Sequence, residues 1–450
     1  MAFLYVLITR EYPNGIRFYF YIMNLIVRIF VVFVNIYHVE NYGKIRRVHE
    51  LNNAHEKIVN RYFVQRIDWT TSNLGKILYK NVPENAWERE KKTFIIHIYK
   101  YWRDFKNRHL IDHVTNRYDP LKDCPVQNCE FTKNENYFYT ADVVIFYLFR
   151  GRLPRNRRTN LKQRWIFLSD ESPVNTFAGA KAKPSFSRLA NIFNWSMTYR
   201  SDSDVPIPYG RTVALPKPIF PKPKRMSYEN IASLVPYWNQ KRRDVLVTIL
   251  MSHCRTHRIN YVRYLRRLIN IDFYGKCSYT FRYRTRCPGH FNTDCDVTAN
   301  YLFYLVLENT SCRQYMTEKL FYNAYLKGAI PIIRNPSLED CQKLLPPNSF
   351  LHADQFNSPV EMVNMIKAMG ADDELLLSFH AWRNHFNVTN EHGFFNSKSS
   401  QMCRLCQALN YNDKSVRWYD EDDIRLYLDP KLLCTAIPDF DFGPVNKRGR

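Results

Sequence analysis

The sequence predicts an α/β protein made of two doubly wound, Rossmann-like halves. Three observations carry this. Short runs rich in β-branched and aromatic residues recur at helix-sized intervals, a proline-rich break falls near the middle of the chain, and the alternation restarts after it. In the first half the runs are Thr93 to Tyr99 (TFIIHIY), Ala141 to Tyr147 (ADVVIFY) and Arg164 to Leu168 (RWIFL), and their spacing suits a parallel sheet. The break, residues 205 to 226, places six prolines between Pro206 and Pro223. Such a stretch neither continues a helix nor donates fully to a ladder, so it reads as an extended linker. Beyond it come strands at Asp244 to Leu250, Ile271 to Tyr274, Tyr301 to Leu307 and Ile330 to Ile333, with helices near 259–269 and 318–326. This is the order of a nucleotide-binding domain.

The 450 residues are 45% hydrophobic, enough for two ordinary cores, which excludes a disordered chain. A formal charge of +23 asks for a phosphate-rich partner: nucleic acid, an anionic membrane surface or a nucleotide sugar. The basic residues are spread along the chain, without zinc-finger spacing, an aromatic RNA-binding signature or a basic zipper, which argues against nucleic acid. Eleven cysteines favour an oxidising compartment, and sequons at Asn194, Asn309 and Asn387 fit a secretory route. Residues 17–37 are long enough to span a bilayer and are flanked by Arg10, Arg17, Lys44, Arg46 and Arg47. Asn24 and Arg28 make the span imperfect, so the alternatives are an uncleaved signal-anchor, which is the expectation, and a peripheral amphipathic helix. The expected division is a cytoplasmic end and anchor over 1–40, a stem over 41–90, a first domain over 91–205, a linker over 206–226 and a second domain over 227–450.

The most informative stretch runs from Tyr301 to Leu320, YLFYLVLENTSCRQYMTEKL. It reads as a buried strand ending in Glu308-Asn309, a polar loop, and a helix that Thr317 would cap. A ligand beyond the strand's carboxyl end meets these side chains. Lysine in a first helical turn opposes the helix dipole, so Lys319 points to a bound diphosphate.

The segment resembles the signature of the α1,3-fucosyltransferase family. Its counterparts here are Phe303, Tyr304, Glu308, Asn309, Tyr315, Met316, Thr317, Glu318, Lys319, Leu320, Asn323 and Ala324, continued downstream by Leu345-Pro346-Pro347, Ser349-Phe350 and His352. A second match is Phe193-Asn194-Trp195-Ser196-Met197-Thr198-Tyr199-Arg200 with Asp202-Ser203-Asp204 and Pro208-Tyr209-Gly210. Trp165 to Pro173 and Cys124-Pro125 with Asn128-Cys129 extend it to most of residues 93–410. The resemblance implies the GT-B architecture, two Rossmann-like domains facing a cleft. It implies inverting transfer of L-fucose from GDP-fucose to an N-acetylglucosamine or glucose hydroxyl of a glycan, by an enzyme held in the Golgi membrane as a single-pass type II protein.

By the same resemblance Glu171 is the general base, and Arg258, Asn309, Tyr315, Glu318 and Lys319 bind GDP-fucose. Arg258 and Lys319 would stabilise the leaving diphosphate, and Tyr199, Arg200 and Tyr209 would line the cleft. No cofactor is required, with Mn2+ or Mg2+ as an optional activator. Asp202 and Asp204 have the spacing of a metal pair, but the family does not depend on that motif, and a solvated turn is the expectation. Cys124, Cys129, Cys403 and Cys406 allow a structural zinc or disulfides. The resemblance implies disulfides that bridge the Cys403/Cys406 pair to the first domain and tie the halves together across the cleft. Arg334-Asn335-Pro336 departs from the family's Gly-Pro and would alter the donor or acceptor rim, which leaves a non-catalytic glycan- or nucleotide-sugar-binding relative as the rival reading.

Overall fold

The computed structural model describes residues 55–437 apart from 101, 113–116, 156–157, 222–226, 288–293 and 395–396. The expected signal-anchor at 17–37 lies outside the described residues, and among those described no helix is long and apolar enough to cross a membrane.

The first sheet has six parallel strands: β1 (Phe94–Tyr99), β2 (Cys129–Thr132), β3 (Val143–Tyr147), β4 (Arg164–Ser169), β5 (Trp195–Thr198) and β6 (Val205–Pro206). Their order is β2-β1-β3-β4-β5-β6. All residues of β4 and β5 are buried, as parallel strands covered on both faces must be. Next in the chain is β7 (Gly210–Ala214), and then the second sheet: β8 (Val247–Leu250), β9 (Ile271–Tyr274), β10 (Phe303–Val306), β11 (Ile330–Ile333) and β12 (Leu351–His352). It is also parallel, in the order β9-β8-β10-β11-β12. Finally β13 (Phe386–Asn390) returns to pair antiparallel with β7. The α/β class with parallel sheets is as expected.

Six helices matter for the site and its support: α1 (Asn73–Tyr79), α2 (Thr256–Leu265), α3 (Glu318–Phe321), α4 (Pro359–Ala371), α5 (Gln401–Tyr411) and α6 (Glu421–Leu428). Period-2 alternation sends neighbouring residues of each strand to opposite cores. In the first sheet, Ile145, Ile166, Leu168 and Met197 pack with Met402, Leu405 and Leu409 of α5. Val144, Phe146, Trp165 and Phe167 face the other way, against Tyr419, Ile424 and Leu428. In the second, Val247, Ile249, Leu305 and Ile332 pack with Met362, Val363 and Ile366 of α4.

Several expected boundaries change. The second domain does not run through 450, because α5 and α6 cross back to cover both faces of the first sheet. The described residues from 59 to 219 and from 227 to 437 form one compact unit. The stretch expected as stem from 59 to 90 belongs to it: Leu74 of α1 is buried in the first core, and its backbone N–H donates to Asn412 Oδ1 at 2.9 Å. The linker reading of 206–226 fails at its start, since β6 is an edge strand and β7 is held by β13. Prolines are tolerated at such edges because no inner ladder needs their N–H.

Cys124 pairs with Cys403 and Cys129 with Cys406. These bonds staple α5 onto the first sheet, so they do not tie the two halves together across a cleft. Cys254–Cys277, Cys287–Cys295 and Cys312–Cys434 are also bridged, while Cys341 is a free, buried thiol. Among the three sequons, Asn194 is fully buried and its Oδ1 accepts from Trp165 N at 2.8 Å, which leaves no room for a glycan; Asn387 is exposed and Asn309 half-buried.

Candidate active site

The candidate site centres on Glu171, at the carboxyl end of β4. β4 ends at Ser169, so Asp170 and Glu171 follow directly at its carboxyl end. Their neighbours set them in opposite states. Asp170 is completely buried; burial alone would raise its carboxyl, but the Arg108 guanidinium at 2.7 Å, with His392 Nε2 at 3.3 Å, holds it well below the usual carboxylate range. The Tyr209 hydroxyl donates to the Asp170 carbonyl at 3.0 Å, and the Tyr209 ring stacks on His392 with centroids 3.9 Å apart. Glu171 has no such cation in contact. Burial, and then the charge of Asp170 beside it, push its carboxyl up to about 7, against weaker opposing pulls from Arg108, Tyr315 and Lys319. A carboxylate tuned to that range suits general-base work near neutral pH.

The segment following β10 reaches Glu171 from the second sheet. The Tyr315 hydroxyl donates to Glu171 Oε2 at 3.2 Å, and the Tyr315 ring packs edge-on against Tyr199 and Tyr209. Gly210 follows this aromatic wall for a steric reason: a Cβ there would sit 2.5 Å from both Phe321 and the Thr389 carbonyl, so only glycine lets β7 approach α3 this closely.

Thr317 caps α3, accepting from Lys319 N, as expected. Its hydroxyl and N–H also donate to the buried Glu308 at 2.8 and 2.9 Å. Lys319 Nζ lies 3.0 Å from Glu308 and 3.1 Å from Glu318. Burial would lower this ammonium, but the two carboxylates outweigh it and raise it; Lys319 in turn outweighs burial at Glu318 and holds that carboxyl low. Arg258, in the first turn of α2, is also buried, and burial weakens its hold on the proton. One guanidinium nitrogen donates to the His253 carbonyl at 3.2 Å, while Nε has no hydrogen-bond partner among the described residues. That buried guanidinium, whose charge Glu308 and Glu318 favour without bonding it, keeps an unpaired N–H that an anion could accept from.

Most expected site residues are therefore brought together: Glu171, Tyr315, Glu318, Lys319 and Arg258 share one neighbourhood, and Tyr199 and Tyr209 form its wall. Asn309 is half-buried just beyond β10, accepting from the Thr310 hydroxyl at 3.3 Å. Arg200 is a correction. Its guanidinium pairs with Asp202, donates to the Leu426 carbonyl and lies 5.0 Å from the Tyr427 ring, so it fastens α6 instead of lining a cleft. Asp202 is occupied by that pair, and Asp204 is half-buried, accepting from Ser196 N at 2.7 Å and from Tyr419, so the pair is not a solvated turn. Arg334 stacks over Tyr261 at 4.4 Å, and Asn335 donates to the Thr310 carbonyl at 2.7 Å. Among the described residues no group of three His, Cys, Asp or Glu side chains is placed to hold a metal. The sequence did not flag Arg108, His392 or Tyr147.

Comparison with known proteins now decides the family. Residues 90–210 match the fucosyltransferase N-terminal model, and residues 238–423 match the C-terminal model of glycosyltransferase family 10 (fucosyltransferase). This chain belongs to the family 10 fucosyltransferases. It is 28% identical over 307 residues to glycoprotein 3-alpha-L-fucosyltransferase A of Drosophila melanogaster, covering 66% of this chain and 54% of that one. It is 28% identical over 300 residues to alpha-(1,3)-fucosyltransferase 7 of Rattus norvegicus, covering 65% of this chain and 70% of that one. The chain thus spans between about half and two thirds of the length of such relatives. An alpha1,3-fucosyltransferase crystal structure covers 74% of this chain and 97% of its own at 17% identity and a TM-score of 0.42, and the form with GDP-fucose covers 72% and 94% at a TM-score of 0.41.

Proposed function

We propose that this fucosyltransferase family member moves L-fucose from GDP-fucose to a glycan hydroxyl in α1,3 linkage with inversion, between two domains in GT-B arrangement. The observation that carries the reading is the Tyr315–Glu171 contact, which brings a carboxyl pushed up to about 7 against the segment that holds Glu318 and Lys319. Glu171 accepts the proton of the attacking hydroxyl, and the sugar–phosphate bond breaks as the new glycosidic bond forms. Charge grows on the departing diphosphate. Arg258, with its unpartnered Nε, and Lys319 meet it, while Asn309, Tyr315 and Glu318 hold the nucleotide sugar. The positive charge comes from side chains, so Mn2+ or Mg2+ acts only as an activator, and activity should survive EDTA.

We place the protein in the Golgi membrane as a single-pass type II enzyme with the catalytic body in the lumen. Five disulfides support an oxidising compartment, and residues 17–37 supply an anchor. Acceptor-dependent GDP release, measured over a panel of N-glycan and lactosamine acceptors with and without EDTA, tests the function. Tight GDP binding with no release on any acceptor would favour the non-catalytic relative.

A further inference from the structure

The loops that leave the first sheet at the carboxyl edge beside Glu171 are strongly basic. Between Asp142 and Asp202 the only acidic residues are Asp170 and Glu171, and both point into the site just described. Lys100 follows β1, Arg150 and Arg152 follow β3, and Lys181 and Lys183 follow β4; all five are exposed. Because these three strands are parallel, all three loops emerge on the Glu171 side. The two longer loops touch: Gly179 N donates to the Phe149 carbonyl at 3.0 Å, and a Cβ on Gly151 would lie 2.8 Å from Ala180. Lys100 pairs with Glu135 at 2.9 Å yet still lies near enough to Arg152 for the two to repel.

An aromatic path joins this patch to Asp170, the neighbour of the base. Tyr147 donates to Asp170 at 3.5 Å, its ring stacks on Phe149 at 6.0 Å, and the Arg150 guanidinium lies 5.7 Å from the Phe149 ring. Half-buried rings offer the apolar face of a sugar a platform, and cations beyond them receive an anionic substituent.

We infer that the acceptor of this enzyme is an acidic glycan, whose carboxylate, sulfate or phosphate, carried on a sugar beyond the one that is fucosylated, sits among Arg150, Arg152, Lys181 and Lys183. The inference rests on the transferase reading above and names its substrate class. An acidic stretch of the carrier polypeptide would be a different partner. The glycan is favoured because the aromatic path from Asp170 ends at Arg150, in the same pair of touching loops as the other cations.

The test uses the full-length chain with GDP-fucose and one acceptor glycan prepared in neutral, carboxylated and sulfated forms, plus the neutral glycan on an acidic glycopeptide. The expected result is a kcat/KM for at least one acidic glycan about fivefold or more above the neutral one, shrinking as salt rises. The combined substitution Arg152→Ser, Lys181→Ser and Lys183→Ser should erase that preference and leave neutral turnover intact. The carboxylated and sulfated arms tell which anion is read. Equal rates on neutral and acidic forms overturn the inference, as does a preference for the acidic glycopeptide alone, or a triple variant that loses neutral turnover equally. If Lys183→Ser alone is also well folded and shows no change in preference while the triple variant does not fold, the inference is likewise overturned. No transfer to any acceptor would overturn the transferase reading itself.

Discussion

Two adjacent carboxylates at the end of β4 have opposite fates, and so do two cations across the site. Asp170 is clamped by Arg108 and stays charged, while Glu171, lacking a direct cation, is pushed up to about 7. Lys319 is gripped by Glu308 and Glu318, whereas Arg258 is buried with Nε unpartnered. In each pair one member is satisfied by the fold and the other is left for substrate. Residue type alone does not assign the role; the neighbours do.

The largest expected effect follows from removing the unsatisfied acid. Glu171→Gln should lower kcat about 10²- to 10⁴-fold with GDP affinity unchanged, as read by steady-state transfer and calorimetry. It should also stabilise the fold, with a defined sign. Because the folded carboxyl is raised to about 7 from its usual 4.5, the folded state resists losing the proton that the unfolded chain gives up, and stability falls as pH rises between those values. A neutral glutamine therefore gains at pH 8 and gains nothing at pH 4. A melting temperature unchanged at pH 8 would contradict the buried, charge-disfavouring setting.

The two cations should separate cleanly. Lys319→Met leaves the buried Glu308 and the half-buried Glu318 without their counter-ion, and should cost about 3–5 kcal/mol of stability as well as activity. Arg258→Met removes a buried charge that forms no salt bridge among the described residues and keeps only the hydrogen bond to the His253 carbonyl, so the melting temperature should hold or rise. GDP affinity should drop about 10- to 100-fold, the loss of charge-assisted hydrogen bonds to phosphate. Equal destabilisation by both substitutions would erase the distinction between a gripped and a waiting cation.

How legible this site was follows the same division. β1, β3, β4, β8, β9, β10 and β11 could be read because buried parallel strands are mostly apolar runs, in which a lone His97 or Asp272 does not hide the pattern. β5 was missed as a strand because Ser196 and Thr198 interrupt the run; the fold uses those hydroxyls, with Ser196 held by Asp204 and Thr198 within 2.6 Å of Ser203. Glu171, Tyr315 and Lys319 were legible from motif resemblance. Arg108 and His392 were not, since each reaches Asp170 from a distant element and nothing in its local sequence marks it. Arg200 was misplaced for the converse reason: it sits in a motif beside Tyr199, but its partner is a helix that the sequence assigned to the other half.

The smallest effect isolates the electrostatic part of the comparison. Arg108 touches Asp170, not the acceptor hydroxyl, and its charge pulls the Glu171 carboxyl down against burial and Asp170. Tyr147, Tyr209 and His392 also face Asp170, and Tyr315 and Lys319 complete the groups around Glu171. Arg108→Gln removes the opposing cation, so Glu171 should hold its proton to higher pH and the acid limb of kcat/KM should move upward. Asp170→Asn removes the charge that raises Glu171 and leaves Arg108 unopposed, so the limb should move down. Opposite displacements by the two halves of one ion pair are what an electrostatic role demands. A purely structural role would lower the rate in both variants with the limb in place.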